Sequence, residues 1–186
     1  MTRADLRYHL PMRAAIILAA LLLLACDPDG GSGDGGTSGG TCRGASDETT
    51  SLDAQESAFL DLLNGYRSEH GRSTLVNCVA LSRAAQGHSE DMRDRMFFDH
   101  TNPDGDSAWE RTCAACYEHG CTIYSTELSE NIAGGFDSAD AVFAGWMASS
   151  GHNRNMLTSP ASVVGIGRAD GFWTLDIASD DEPSCR

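Results

Sequence analysis

Apolar residues recur at three- and four-residue intervals from Leu52 to His70. Phe59, Leu63, Tyr66 and His70 share one stripe, which predicts a first helix that Gly71 can end. A second helix is predicted from Asn77 or Cys78. There Leu81, Ala85, His88, Met92 and Met96 fall on one stripe, with Glu90, Asp91, Arg93 and Asp94 mostly off it. His88 lies on that apolar stripe and is expected to be a core histidine with satisfied polar atoms. Phe97-Phe98 lead into Asp99-His100-Thr101, and Asn102-Pro103-Asp104-Gly105 reads as a turn. His100 therefore sits where a helix gives way to a loop, a place that more often carries function than mid-helix. Ser107 to Tyr117 predicts a short helix with Trp109 packed inward.

Two strands are predicted next, at Thr122–Ser125 and at Glu130–Ala133, the second stopped by Gly134-Gly135. Asp137 is expected to cap the following helix, with Asp140 reaching back. Ala139, Val142, Phe143, Trp146 and Met147 form its apolar face, and it should end by Ser150-Gly151. His152 to Leu157 adds one or two helical turns before Pro160. Gly151 is expected to be needed for the backbone that places His152. Val163–Arg168 and Phe172–Ala178 are strands joined by an Ala169-Asp170-Gly171 hairpin turn. On the second, Trp173, Leu175 and Ile177 share one face and Thr174 and Asp176 the other. Helices before and between strands, with a C-terminal hairpin, predict an α+β sandwich with an antiparallel sheet.

The N-terminal part has a different composition. Arg3, Arg7 and Arg13 precede an apolar run from Ala14 to Leu24, too short for a transmembrane helix but suited to a signal peptide. It ends in Leu23-Leu24-Ala25-Cys26, which looks like a lipobox with Cys26 as the lipidated first mature residue; the alternative is an ordinary secretory signal with a chance cysteine. A lipid there would anchor the protein in a membrane, at about 0.8 kcal/mol per buried methylene. The Gly/Ser-rich stretch after Cys26 cannot bury enough surface to offset chain entropy and reads as a tether. The expected organisation is a lipoprotein signal peptide over 1–25, a flexible tether over 26–51 and one folded domain over 52–186. This implies an exported protein, lipid-anchored at the periplasmic or extracellular face of a bacterial envelope.

The formal charge of the 186-residue chain is −14, and no lysine occurs. Removal of residues 1–25 takes away three arginines and one aspartate, giving −16. Such a surface repels nucleic acid, so no nucleic-acid partner is expected. The remaining cysteines are Cys42, Cys78, Cys113, Cys116, Cys121 and Cys185. Their even number and the export signal point to three disulfides of unassigned pairing. Cys113-x-x-Cys116-x-x-His119-x-Cys121 has a spacing that can also hold zinc, the alternative to disulfides in a surface loop.

Five segments in register identify a family resemblance: LLNGYRSEHG (62–71), LSRAAQGHSEDM (81–92), FFDHTNPDG (97–105), SENIAGG (129–135) and GWMASSGHNRNML (145–157). With the closing strands, the chain resembles the CAP superfamily of cysteine-rich secretory, antigen 5 and pathogenesis-related class 1 proteins, most closely its bacterial SCP-domain branch. The resemblance implies a three-layer α-β-α sandwich around a central antiparallel sheet. It also implies a cleft with two histidines and two acidic residues, here His100, His152 and Glu130. The second acid is expected three residues after Trp146, where this chain has Ser149.

His100, Glu130 and His152 are thus expected to meet at the floor of one cleft. Two neutral imidazoles can bind Zn2+ or another divalent ion, with Glu130 as a further ligand, a second-sphere partner or a base. The two function classes are a binding module for a lipid or cell-wall ligand and a metal-dependent, peptidase-like hydrolase using His100, His152 and Glu130. Ser129, Ser149 and Ser150 lie near the histidines, but none occupies a nucleophile elbow. A monomer is expected.

Overall fold

The computed structural model describes residues 51–121 and 127–186. Helix α1 spans Ala54–Glu69. Asp53 starts it: its carboxylate accepts from the backbone N–H groups of Gln55 and Glu56, and Glu56 accepts from Asp53 in return. Strand β1 is only Val76–Asn77. Helix α2 spans Val79–Arg95, α3 Ala108–Ala114, α4 Ala139–Ala148 and α5 Ser150–Met156. The other strands are β2 at Leu128–Ala133, β3 at Val163–Ala169 and β4 at Phe172–Ala178. The leader, the tether through residue 50, Cys26 and Cys42 lie outside the described residues, as does the strand expected at Thr122–Ser125.

The sheet order is β1-β3-β4-β2. The three long strands are antiparallel, and only the two-residue β1 joins in parallel, beside β3. The hairpin turn uses positive backbone angles at Asp170 (φ 45) and Gly171 (φ 84), as an Asp-Gly turn requires.

Both faces of the sheet are covered by helices. On one, Phe59 and Leu63 of α1 and Val142 and Trp146 of α4 pack onto Ile166, Trp173, Leu175 and Ile177. On the other lies α2, drawn close by the glycines of β3. A Cβ at Gly165 would come within 2.2 Å of the Leu81 carbonyl carbon, and one at Gly167 within 2.1 Å of the Gln86 nitrogen. Thr174 and Asp176 face this layer and are buried, although they are polar. Thr174 is satisfied by Ser89, whose hydroxyl donates to Thr174 Oγ1 at 2.9 Å. The expected α+β sandwich is the fold observed.

Several local expectations change. The cap of α4 is Ser138, not Asp137: its hydroxyl accepts from Ala141 N–H at 3.3 Å. Met96 does not continue the buried stripe of α2. It ends the helix in the left-handed region (φ 55) and is 90% exposed. Met147 is exposed and Trp109 only half-buried. Gly151 sits in α5 with nothing near the position of a Cβ, so its place does not require glycine.

Two disulfides are defined, Cys78–Cys185 and Cys113–Cys121, and Cys116 is also disulfide-bonded. The zinc alternative for the Cys113–Cys121 segment therefore fails, because its thiols are consumed. Cys78–Cys185 ties the start of α2 to the C-terminus across 107 residues. In the chain-entropy view, closing a loop of that size contributes about 4–5 kcal/mol.

Candidate functional site

Strand β2 is an edge of the sheet, and the site is built over it. Its outward carbonyls are covered: Trp146 Nε1 donates to Ile132 O at 3.3 Å, and Asn155 Nδ2 donates to Glu130 O at 3.1 Å. Asn155 also donates to Asn131 Oδ1, and Asn131 Nδ2 donates to the carbonyl of His152 at 3.1 Å. Buried Arg67 of α1 donates to the carbonyls of Met156 and Thr158, which fixes the far end of α5. His152 is therefore carried on a short helix held at both ends.

His100 is held differently. Asp99 accepts from Thr101 N–H through its carboxylate, forming a tight local turn. Arg111 of α3 donates to the carbonyl of His100 at 2.8 Å and to that of Asp106 at 2.9 Å. The second guanidinium nitrogen of Arg111 donates to Glu130 Oε2, and His100 Nδ1 donates to Glu130 Oε1 at 2.7 Å. One arginine thus fixes both the backbone of His100 and the carboxylate that orients its ring.

These contacts set the charges. Glu130 has a side chain only 5% exposed. Burial opposes its ionisation, but the hydrogen bond from His100 and the charge of Arg111 prevail and hold the carboxyl below its usual range. The hydrogen bond to Glu130 in turn raises the pKa of His100. His152 moves the opposite way, lowered by burial and by the nearby His100. Asp176, across from Glu130 on β4, is pushed well above the carboxylate range by burial and by the charge of Glu130.

His100 and His152 line one cavity of about 480 Å³. Its walls are mostly apolar, from Phe98, Ile132, Phe136 and Trp146, and Ser149 occupies the place where a second acid was expected. The structure thus brings the two imidazoles to one cleft and sets Glu130 behind His100 rather than in the open floor. Among the described residues no group of three or more His, Cys, Asp or Glu side chains is placed to hold a metal. Both oxygens of Glu130 are engaged, so a divalent ion in the cleft would have the two imidazoles as its protein ligands.

Sequence reasoning missed Arg111 and Asp176. Arg111 left one trace: it is the sole cation between Arg95 and Arg154 apart from histidine. Asp176 left none, because its alternation in β4 is equally that of an outward-facing residue.

This fold and this histidine-bearing cleft define an SCP-type domain. Residues 60–174 match the cysteine-rich secretory protein (CAP) family, and the chain belongs to it. An uncharacterized Bacillus subtilis protein, YkwD, is 32% identical over 127 residues, covering 67% of this chain and 47% of that protein. The uncharacterized membrane protein YlbC of the same bacterium is 32% identical over 119 residues, 64% of this chain and 33% of that protein. The crystal structure of an extracellular SCP-domain protein from Bacillus anthracis superposes with a TM-score of 0.59 at 29% identity, covering 67% of this chain and 40% of that one. The chain spans less than half the length of each. Among the described residues no helix is long and apolar enough to cross a membrane.

Proposed function

We propose that this chain is an exported, lipid-anchored binding module whose cleft takes a ligand with an apolar body and a hydrogen-bond-accepting or anionic head. A lipid or a cell-wall component has that chemistry. The carrying observation is the engagement of both Glu130 oxygens, by His100 and by Arg111. A carboxylate so fixed orients His100 and is not free to act as a base. The raised pKa of His100 favours an imidazolium at the cleft, which suits an anionic or accepting head. Phe98, Phe136 and Trp146 supply an apolar wall for the body. Cys26, at the end of the predicted leader, would carry the anchor. The lipid- or wall-facing location is in keeping with relatives described as extracellular or membrane proteins.

The rival reading is a metal-dependent hydrolase using His100, His152 and Glu130, and it needs Glu130 released from Arg111. Titration calorimetry of the full chain with dodecanoate and with dodecane-1-sulfonate tests the proposal, with dodecyltrimethylammonium as the opposite-charge control. Saturable binding of the anions, weakened by His100→Ala and absent for the cation, is expected. Zinc-dependent cleavage of a peptide library that disappears in Glu130→Gln would replace this reading with the hydrolase.

A further inference from the structure

A second cavity, of about 330 Å³, lies on the other side of Arg111, between α2, the Asn102–Asp106 loop and α3. Four carboxylates line it, those of Glu90, Asp91, Asp104 and Asp106. Arg95 answers two of them, Asp104 and Asp91. Glu90 and Asp106 have no ion-pair partner among the described residues; they accept only from the side-chain amides of Gln86 and Asn102. Arg111 also lines the cavity, but its two terminal nitrogens bond Glu130 and the carbonyls of His100 and Asp106.

His88 lines the same cavity and is 1% exposed. Its Nε2 lies 3.1 Å from the carbonyl oxygen of Asp99. A carbonyl only accepts, so Nε2 carries the hydrogen and Nδ1 is left with a lone pair. That Nδ1 has no hydrogen-bond partner among the described residues. Burial, and then the charge of Arg111, lowers the ring to about 4, which keeps it neutral in ordinary buffers. A buried acceptor without a donor costs about 1–3 kcal/mol, so a group that supplies the donor is favoured there.

We propose that this cavity binds a small primary ammonium group, which donates an N–H to His88 Nδ1 and is neutralised by Glu90 and Asp106. An anion would meet four carboxylates. A quaternary ammonium has the charge but no N–H to give. A divalent metal lacks a ligand set, since no cluster of three suitable side chains is placed for one among the described residues. The proposal is independent of what the His100–His152 cleft binds.

The test is an NMR titration of the ¹⁵N-histidine-labelled full chain with 1,4-diaminobutane, with tetramethylammonium at matched ionic strength as control. The His88 Nδ1 resonance should move saturably with the diamine and stay in place with tetramethylammonium. The double variant Glu90→Gln/Asp106→Asn changes accessible side chains and should leave the fold intact; it should weaken the diamine about tenfold. Equal shifts with both cations, a static Nδ1 signal, or undiminished binding in the double variant would each overturn the site. Zinc titrated alone should leave Nδ1 unmoved, and a saturable zinc shift at Nδ1 would overturn the ammonium assignment in favour of a metal.

Discussion

Glu130 and Asp176 lie directly opposite one another on β2 and β4, and their carboxyls are shifted in opposite directions, Glu130 down and Asp176 up. Two neighbouring carboxylates in a poorly solvated layer repel, so one proton is retained. Arg111 and His100 decide which one gives it up, because both contact Glu130. Asp176 Oδ1 has no hydrogen-bond partner among the described residues. The result is a carboxylate favoured behind His100 and, on the neighbouring strand, a carboxyl pushed towards its protonated form.

Replacing Glu130 by Gln should uncouple the cleft from Arg111. Arg111 has a side chain 10% exposed, and losing its carboxylate leaves a nearly buried charge unpaired. The expected cost is about 3–5 kcal/mol. His100 also loses the group that raises its pKa. A raised histidine pKa stabilises the fold fully below the ordinary value and ceases to do so as pH rises through the folded value. NMR titration should therefore show the His100 pKa falling in Glu130→Gln, and the alkaline loss of stability assigned to His100 should vanish. An unchanged His100 titration would break the link.

Asp176→Asn should remove a pH dependence of the same sign from a different group. The raised pKa means that folded Asp176 keeps a proton which the unfolded chain has lost above the ordinary aspartate range. Stability then falls as pH rises from that range towards the folded value, by up to about 1.4 kcal/mol per pH unit. An asparagine carries no such slope. Urea denaturation at several pH values should show the variant gaining on the wild type as pH increases, with the two nearly level in acid. Parallel profiles would mean that Asp176 is ionised in the fold.

The glycines of β3 and α5 should respond in opposite ways. Gly165→Ala places a Cβ against the backbone of Leu81, which cannot yield without shifting α2 from the sheet. A loss of about 1–3 kcal/mol or more is expected. Gly151→Ala meets nothing within 4 Å and lies in a helix, where it should add about 0.5–1 kcal/mol. Thermal unfolding of the two variants checks both signs.

The contrast between these glycines shows what the sequence could carry. Helical stripes gave α1 and most of α2, and the Asp170-Gly171 turn gave the hairpin, because each depends on neighbours in the chain. His100 was legible from its position at the end of a helix. The close approach of α2 to β3 was not, since it concerns residues some 80 positions apart, such as Leu81 and Gly165. For the same reason Arg111 and Asp176 were invisible as partners of Glu130. Their roles come from which face of the sheet each helix covers. The cap at Ser138 was misplaced by one residue because Asp137 and Ser138 are both good capping types, and only the observed bond to Ala141 separates them.

Cys26→Ser should separate the anchor from the domain. If the cysteine is lipidated, the variant should move from the membrane fraction to the soluble exported fraction, with the Cys78–Cys185 and Cys113–Cys121 disulfides unaffected. Metabolic labelling with an alkyne fatty acid should be lost with it. Persistent membrane association of the variant would show that another segment holds the protein there.

Trp146→Ala should damage both stability and the cleft, because one ring serves both. Trp146 is buried, meets Phe59 edge-on with centroids 5.3 Å apart, and donates to the β2 edge at Ile132. Its truncation should cost about 3–5 kcal/mol. Trp146→Phe keeps most of the packing but removes the N–H, leaving the buried Ile132 O without its donor, and should cost about 1–3 kcal/mol. The ring also lies 6.2 Å from that of His152 and lines the cavity, so both variants should weaken dodecanoate binding, the alanine more than the phenylalanine. Denaturation and calorimetry on the same two samples measure the pair of effects. Full binding by a destabilised alanine variant would remove Trp146 from the cleft wall while leaving its place in the core intact.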